Sequence, residues 1–308
     1  MSTILVTGAD LAPQALALLE GHKVFFTGPA PTEHDVIALC ARHNPQALLL
    51  RHGRIGAVAM NAAPALKVIS VHGSGTDAID VAAARMLGIE VVAAAGVNAA
   101  AVAEQALALL LACAKSVVAL DARMHAGHWD KATHKNIELG GRTVGVVGLG
   151  AIGLRFARMA HGVGMRVLGF DPFGKVLPHY IEHVPLETLW GASDAISLHC
   201  PLTDENRGLV DADTLSRCRH GLILVNTARG ELVDEGALLA ALRSGQVHSA
   251  GLDSFAIEPL ADGHPFLSHP RLVLSPHIGG VTEEAYVQLG VAAARNALDV
   301  LMRGRSPT

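Results

Sequence analysis

Aromatic residues make up only 4% of this 308-residue sequence, charged residues only 17%, and there are four cysteines. Cys40, Cys113, Cys200 and Cys218 form no CxxC pair and are too sparse for a disulfide scaffold. A basic excess is also missing: the net charge of −4 argues against a nucleic-acid binder, whose phosphate contacts need a clustered basic face. No like-charge block or low-complexity tract occurs, and with 50% hydrophobic residues disorder is excluded. The longest apolar stretch, Ala99–Leu120, contains Glu104, Gln105 and Lys115, which suits a buried helix rather than a membrane span. Met1 leads almost directly into the apolar run Ile4–Val6, so no signal peptide is expected. What is present is an alanine-rich chain with 32 glycines, long enough for one large or two ordinary domains. The expectation is a soluble, cytoplasmic α/β protein that binds neither nucleic acid nor membrane.

Short β-branched or apolar runs recur at Ile4–Thr7, Val24–Thr27, Ala47–Leu50, Val68–Val71 and Val91–Ala93. They alternate with helix-like segments such as Pro13–Leu19 and Asp35–Arg42, which predicts a parallel sheet covered on both faces. A second series, Thr143–Val147, Arg166–Asp171, Ala195–His199, Leu222–Asn226, Ser249–Asp253 and Leu272–Ser275, predicts a second such sheet. Between the two, Asn98–Leu120 reads as one helix of about six turns joining two lobes. The polar segment Ala122–Gly141, with His128, Trp129, His134 and Lys135, reads as an arm or loop. Glu283–Met302 has apolar residues at helical spacing and no strand after it, so it is expected to return over the first sheet. The domain expectation is therefore a discontinuous lobe, 1–98 with 285–308, and a continuous one, 99–284.

The strand Val144–Val147 runs into Gly148-Leu149-Gly150-Ala151-Ile152-Gly153 and then the helical pattern Leu154–Ala160. Glycines there permit a tight turn, close approach of a pyrophosphate and close helix–strand packing, while the helix N-terminus offers amides and a positive dipole end. With glycine at about one position in ten, chance alone gives on the order of 0.3 such matches, so context decides. The next strand ends at Asp171, about 20 residues on, where a carboxylate accepts from ribose hydroxyls and repels a 2′-phosphate. Gly148, Gly150, Gly153 and Asp171 thus point to NAD rather than NADP. A second glycine loop, Gly73–Ala78, differs: Asp77 would crowd a pyrophosphate, and the next acid, Glu90, begins a strand. Either a plain tight turn or a small-anion site formed by the amides of Ser74 and Gly75 fits it.

Arg229, Glu258 and His277 each follow a strand of the second series, where loops beyond strand carboxyl ends line a ligand crevice. Reduction of a 2-oxo acid needs a cation for the carboxylate and ketone, and a proton donor for the oxygen. Arginine serves the first need by bidentate bonding and histidine the second, its ordinary pKa of about 6.5 lying near working pH. A carboxylate beside the imidazole fixes its tautomer and favours the charged form. Each of the three read alone also fits a structural salt bridge or hydrogen bond. Among 17 histidines, His125 with His128 and His179 with His183 have helical spacing but no HExxH context, so no metal is expected.

In combination, Gly148–Gly153, Asp171, Asn226–Gly230, Gly251–Pro259 and Pro276–Gly280 resemble the D-isomer-specific 2-hydroxyacid dehydrogenases. Asn98–Glu104 and His199–Gly208 add to the likeness, which covers nearly the whole chain in the family's order. The resemblance implies two doubly wound parallel-sheet lobes, a Rossmann NAD-binding domain and a flavodoxin-like substrate domain, with NAD between them and a homodimer. It implies that Arg229 binds the carboxylate and carbonyl of a small 2-hydroxy or 2-oxo acid, that His277 is the acid/base and that Glu258 is its partner. Ser74 and Gly75 would supply amides to the substrate carboxylate from the other lobe, where Arg51 is also a substrate contact; His72, the least typical residue there, fits either a hydrogen bond to a polar substrate tail or a satisfied buried histidine. Cofactor contacts would come from Gly148, Gly150, Ala151, Ile152, Gly153, Asp171, His199, Cys200, Pro201, Asn206, Thr227, Ala228, Arg229, Asp253, His277, Gly279 and Gly280.

Departures from the family pattern are also present. Ile257 stands where many members carry an acid, and Gln105 follows Glu104 where histidine is frequent. The phosphoglycerate dehydrogenases show a second basic residue close after the one matching Arg51, where this chain has His52 and Gly53, then Arg54. The sequence ends at Thr308, so no further regulatory domain is expected. Two other readings share the motifs: an NAD-sensing corepressor-like scaffold and a phosphite-type dehydrogenase. Glu258, in place of glutamine, argues against formate dehydrogenases.

Overall fold

The computed structural model describes residues 1–174 and 176–303, which divide into two compact units. The first unit comprises Met1–Asn98 and the chain from Val281 onward, so it resumes four residues before the expected boundary at 285. The second is Ala99–Gly280.

In the first unit, β1 (Thr3–Thr7), β2 (Lys23–Phe26), β3 (Ala47–Leu50), β4 (Val68–Val71) and β5 (Glu90–Ala93) form a parallel sheet in the order β2-β1-β3-β4-β5. That is the flavodoxin-like order, with its switch point between β1 and β3. The strands read as unbroken apolar runs because both faces are covered. Leu5, Leu48 and Ile69 pack toward α2 (Glu33–His43), α3 (Ala57–Asn61) and α4 (Val81–Met86). Ile4, Leu49 and Val68 pack toward α1 (Pro13–Leu18) and the last helix, Glu283–Arg303, through Ala12, Ala15, Ala293 and Ala297. The buried Ser70 hydroxyl donates to the Ala293 carbonyl at 2.8 Å, tying that last helix to the sheet.

The second unit opens with α5 (Ala99–Lys115) and α6 (Val117–His125). The single six-turn helix expected over Asn98–Leu120 is broken: Ser116 adopts φ +51°, and the two helices diverge by 61°. The returning chain caps the break, since the Ile137 amide donates to the Ala114 carbonyl at 2.9 Å. Only α5 is in the core; α6 buries no residue, and it takes in the first residues of the segment expected to be an arm. Among the described residues no single helix is long and apolar enough to cross a membrane.

Seven parallel strands follow: β6 (Thr143–Val147), β7 (Arg166–Phe170), β8 (Ile181–His183), β9 (Ala195–Leu198), β10 (Leu222–Asn226), β11 (Val247–Leu252) and β12 (Leu272–Leu274). Their order, β12-β11-β10-β9-β6-β7-β8, reverses between β6 and β9, as in Rossmann sheets. Strand β8, Ile-Glu-His, was not expected, because only its first residue is buried. The helices α7 (Ala151–Gly162) with α5 on one face, and α8 (Leu186–Ala192), α9 (Ala212–Arg217) and α10 (Glu235–Ser244) on the other, complete the doubly wound layers. The last helix of the chain, Glu283–Arg303, is α11. Both sheets match the expected fold class.

Candidate active site

At the switch point of the second unit, β6 enters the glycine turn. Gly148 has φ +91°, and a Cβ on it would lie 2.7 Å from the Cys200 amide nitrogen, so only glycine lets this turn pass the loop after β9. A Cβ on Gly153 would fall 1.9 Å from the Gly148 carbonyl oxygen; its absence lets α7 start directly beneath the turn. Gly150, the N-cap of α7, meets nothing within 4 Å and faces open space. Glycine has no side chain to cap with, so the amides of Ala151, Ile152 and Gly153 begin the helix without a side-chain acceptor from the N-cap. Asp171, buried at the end of β7, accepts from the Leu149 amide at 2.9 Å and the Phe173 amide at 3.0 Å, holding the turn from below.

On the neighbouring strand end, the His199 ring turns into the core rather than toward the glycine turn. Its Nε2 pairs with Ser197 Oγ at 2.9 Å, the ring lies 5.0 Å from that of Phe156, and burial lowers its pKa to about 3. Only its backbone adjoins Gly148. Cys200 is half-buried; burial, then the charge of Asp171, raises its thiol pKa. Asn206 is spent on its own loop, donating to the Pro201 carbonyl at 2.8 Å and accepting from the Thr203 amide at 2.7 Å. Thr227 Oγ1 is buried and has no hydrogen-bond partner among the described residues.

The loop after β10 is shaped by Asn226, whose side chain accepts from the Ala228 amide at 3.0 Å and donates to the Arg229 carbonyl at 2.8 Å. Arg229 Nη1 donates to the Ala228 carbonyl at 2.8 Å. Gly230 is then forced: a Cβ there would lie 1.9 Å from the Phe255 carbonyl carbon, so the loops carrying Arg229 and Glu258 touch through bare backbone. Glu258 is fixed at both oxygens, Oε1 accepting from the Phe255 amide at 2.9 Å and Oε2 lying 2.7 Å from His277 Nδ1. His277 has φ +52°, a left-handed conformation that costs a non-glycine residue about 1–3 kcal/mol. The buried Asp253 carboxylate offsets that strain, accepting from the Ile278 amide at 3.0 Å and the Gly279 amide at 2.7 Å. With Nδ1 committed to Glu258, proton exchange falls to Nε2, the ring's other nitrogen.

On the first unit, Asp10, Arg51, His52 and His72 follow β1, β3 and β4, around that sheet's own switch point. Arg51 Nη1 is paired with the Asp10 carboxylate, and its guanidinium carbon lies 5.1 Å from the Tyr286 ring centre. This hydrogen bond from Arg51 holds the Asp10 carboxyl below its usual range. Burial, then the Arg51 charge, lowers the His72 pKa to about 4, and the same causes lower that of His52. Arg51 Nε and His72 Nε2 are buried without partners among the described residues. Ser74 Oγ donates to Asn98 Oδ1 at 2.9 Å. The loop carrying Ser74 and Gly75 does not run straight into α4, whose N-cap is Asp80, and Ile79 first pairs with Ile55. It therefore lacks the turn-to-helix junction that Gly148–Gly153 has. Sequence reasoning missed Asp10, Tyr286, Asn226 and Gly230 as parts of these sites; the first two lie far apart in sequence from the residues they meet.

Known proteins decide the family. Residues 107–279 match the profile described as D-isomer specific 2-hydroxyacid dehydrogenase, NAD binding domain. The chain belongs to the D-isomer specific 2-hydroxyacid dehydrogenases. A hydroxypyruvate reductase of Thermotoga maritima is 40% identical over 228 residues, 73% of this chain and 74% of that protein. A glyoxylate reductase of Korarchaeum cryptofilum is 40% identical over 97% of this chain and 92% of its own length. A D-3-phosphoglycerate dehydrogenase of Mycobacterium tuberculosis is 39% identical over 96% of this chain, which spans 56% of that longer protein. Among solved structures, the TT0316 protein from Thermus thermophilus superposes with a TM-score of 0.91 at 37% identity, covering 99% of this chain and 98% of that one. The curated relatives carry dehydrogenase and reductase names, which does not favour a sensing scaffold or a phosphite enzyme.

The cofactor of this family domain is NAD. The second unit fits it: open space over Gly150, an acid at the end of β7, and the orphaned Thr227 hydroxyl stand along one sheet edge.

Proposed function

We propose that the protein reduces small 2-oxo acids to D-2-hydroxy acids, and runs the reverse oxidation, with His277, Glu258 and Arg229 as its catalytic residues. The observation that carries the reading is the 2.7 Å bond from His277 Nδ1 to a glutamate itself held by a backbone amide. That pairing fixes the tautomer, so Nε2 delivers the proton to the carbonyl oxygen in reduction and removes it from the hydroxyl in oxidation. Arg229 neutralises the substrate carboxylate and polarises the carbonyl, and the amides of Ser74 and Gly75, on the first unit, are suited to a carboxylate as well. A bound NAD would supply the hydride chemistry at the carbonyl carbon. Gly148, Gly150 and the first amides of α7 hold the pyrophosphate, Asp171 the adenosine ribose, and Thr227 and Ala228 line the same crevice. Cys200, Pro201, Asp253, Gly279 and Gly280 belong to that crevice through their loops, and His199 and Asn206 support it from behind.

The substrate tail we assign is small and without negative charge. A phosphate dianion needs an uncompensated cation; Arg51 already carries Asp10 and burial brings the His72 pKa down to about 4, which leaves the exposed Arg54 as the cation of that loop able to compensate in part. This favours acids of the glyoxylate or hydroxypyruvate kind, as named for two of the relatives, over phosphorylated ones. The reading includes a cytoplasmic homodimer that engages neither nucleic acid nor membrane, in keeping with the net charge of −4. Sedimentation of the purified protein tests the dimer. The activity is tested by following NADH oxidation with glyoxylate, hydroxypyruvate, pyruvate and phosphohydroxypyruvate. Turnover of an uncharged-tail acid that falls by about 10²–10⁴ in His277→Ala is expected. Unchanged turnover in that variant overturns the acid/base assignment.

A further inference from the structure

The strained loop that carries His277 is anchored by a relay reaching back into the core helix α5. Gln105 Nε2 donates to Ser275 Oγ at 3.0 Å, and Ser275 Oγ donates to Asp253 Oδ1 at 2.5 Å. Asp253 in turn accepts the amides of Ile278 and Gly279, the two residues just after His277. A serine hydroxyl has one proton and two lone pairs. Because it accepts from Gln105, its proton is left for Asp253, and the carboxylate receives three donors while almost fully buried. The His277 amide also donates to the Ser275 carbonyl at 3.0 Å, so Ser275 grips the loop from both its backbone and its side chain. Gly279 closes the arrangement: a Cβ there would fall 2.8 Å from Asp253 Oδ2 and 3.4 Å from Gln105 Cγ.

We propose that Ser275 and Gln105 are positioning residues for His277, holding Asp253 so that the loop after β12 keeps its left-handed turn and the imidazole stays on Glu258. Neither side chain touches the reacting atoms; each acts through the loop. The inference rests on His277 being the acid/base, and the test separates the two. In the full-length protein with NADH and the best 2-oxo acid, Ser275→Ala lowers kcat by about 10–100-fold, as expected for a misplaced catalytic group. KM for the 2-oxo acid stays within about twofold, since no contact to that substrate is removed. Ser275→Thr, which keeps the hydroxyl, restores most of kcat, and Gln105→Leu shows a smaller fall in the same direction. In a His277→Ala background, Ser275→Ala has no further effect, because the group it positions is gone.

A Ser275→Ala protein that melts earlier but keeps wild-type kcat overturns the inference and leaves the role of His277 standing. So does a Ser275→Ala loss that multiplies undiminished in the His277→Ala background. Wild-type turnover in His277→Ala alone overturns the acid/base reading, and the inference with it. Should Ser275→Ala fail to fold, Gln105→Leu decides by the same kcat-against-KM comparison.

Discussion

Two glycines three residues apart in one turn should fail in different ways when given a methyl group. In Gly153→Ala the new Cβ would sit 1.9 Å from the Gly148 carbonyl oxygen, so backbone must move by about 1.5 Å to reach ordinary contact. Overpacking of this kind costs about 1–3 kcal/mol, and alanine's better helix propensity returns up to about 1 kcal/mol. A net loss of about 1–2 kcal/mol lowers Tm by about 2–8 °C for a unit of this size, and the displaced turn weakens NADH binding as well. Gly150 has φ −74° and ψ −163°, which any residue adopts, and nothing lies within 4 Å of its Cβ position. Gly150→Ala therefore loses at most about 1 kcal/mol, from a poorer N-cap. Its methyl intrudes where the pyrophosphate is to lie; at about 1–3 kcal/mol that is a Kd for NADH raised about 5–150-fold. Calorimetric melting of the apo proteins and fluorescence titration with NADH separate the cases. Wild-type NADH affinity in Gly150→Ala would refute the assignment of this turn as the pyrophosphate cradle. A wild-type Tm in Gly153→Ala would refute the close approach of α7 beneath it.

Other consequences are open to direct measurement. Asp171→Ala should weaken NADH and, by removing a negative charge, raise kcat/KM with NADPH; no change in the NADH-to-NADPH ratio would sink the ribose assignment. Asp10→Ala should free the Arg51 charge and lower KM for phosphohydroxypyruvate several-fold, roughly 3–10-fold, while leaving that for glyoxylate nearly unchanged. Burial depresses the His72 pKa from 6.5 to about 4, so below about pH 6.5 the unfolded chain takes up a proton that the folded one refuses. Stability is thus lost as pH falls from 6.5 through 4, with His199 adding to the same slope down to about pH 3. His72→Gln should flatten the dependence of Tm on pH over the upper window, and an unaltered slope would contradict its burial as neutral imidazole.

The two sheets were legible because a parallel strand covered on both faces leaves an apolar run, and Leu222–Val225 or Ala47–Leu50 carries nothing else. Strand β8 was not, since an edge strand with a single buried residue has no such pattern. The break at Ser116 was equally hidden: Ala99–Lys115 and Val117–His125 are both helical in composition, and the bend depends on the Ile137 amide arriving from far along the chain. Within the candidate site, motif residues such as Gly148 and Asp171 could be named in advance because a local turn dictates them. Asn226, Ser275 and Asp10 serve backbone atoms or side chains brought together by folding, and their types occur equally well in ordinary loops. The orientation of His199 belongs to the same class, since its ring packs 5.0 Å from that of Phe156, a residue far from it in sequence.

These contacts share a physical logic. Loops after β10, β11 and β12 are free to wander unless fixed, yet a hydride transfer requires its proton donor and its cation within a few tenths of an ångström of their places. Each loop is fixed by a side chain bonding backbone amides: the buried Asn226 for the Arg229 turn, the exposed Glu258 for its own at Phe255, and the buried Asp253 for the turn just after His277. Bonds to backbone act on the loop itself, so they position His277 through its neighbours' amides and Arg229 through its own carbonyl, while Arg229 Nη1 donates to the Ala228 carbonyl. Gly230 then joins the first two loops where no side chain would fit. Rigidity at the site therefore comes from polar groups that no substrate touches, and their loss should appear in kcat before it appears in KM.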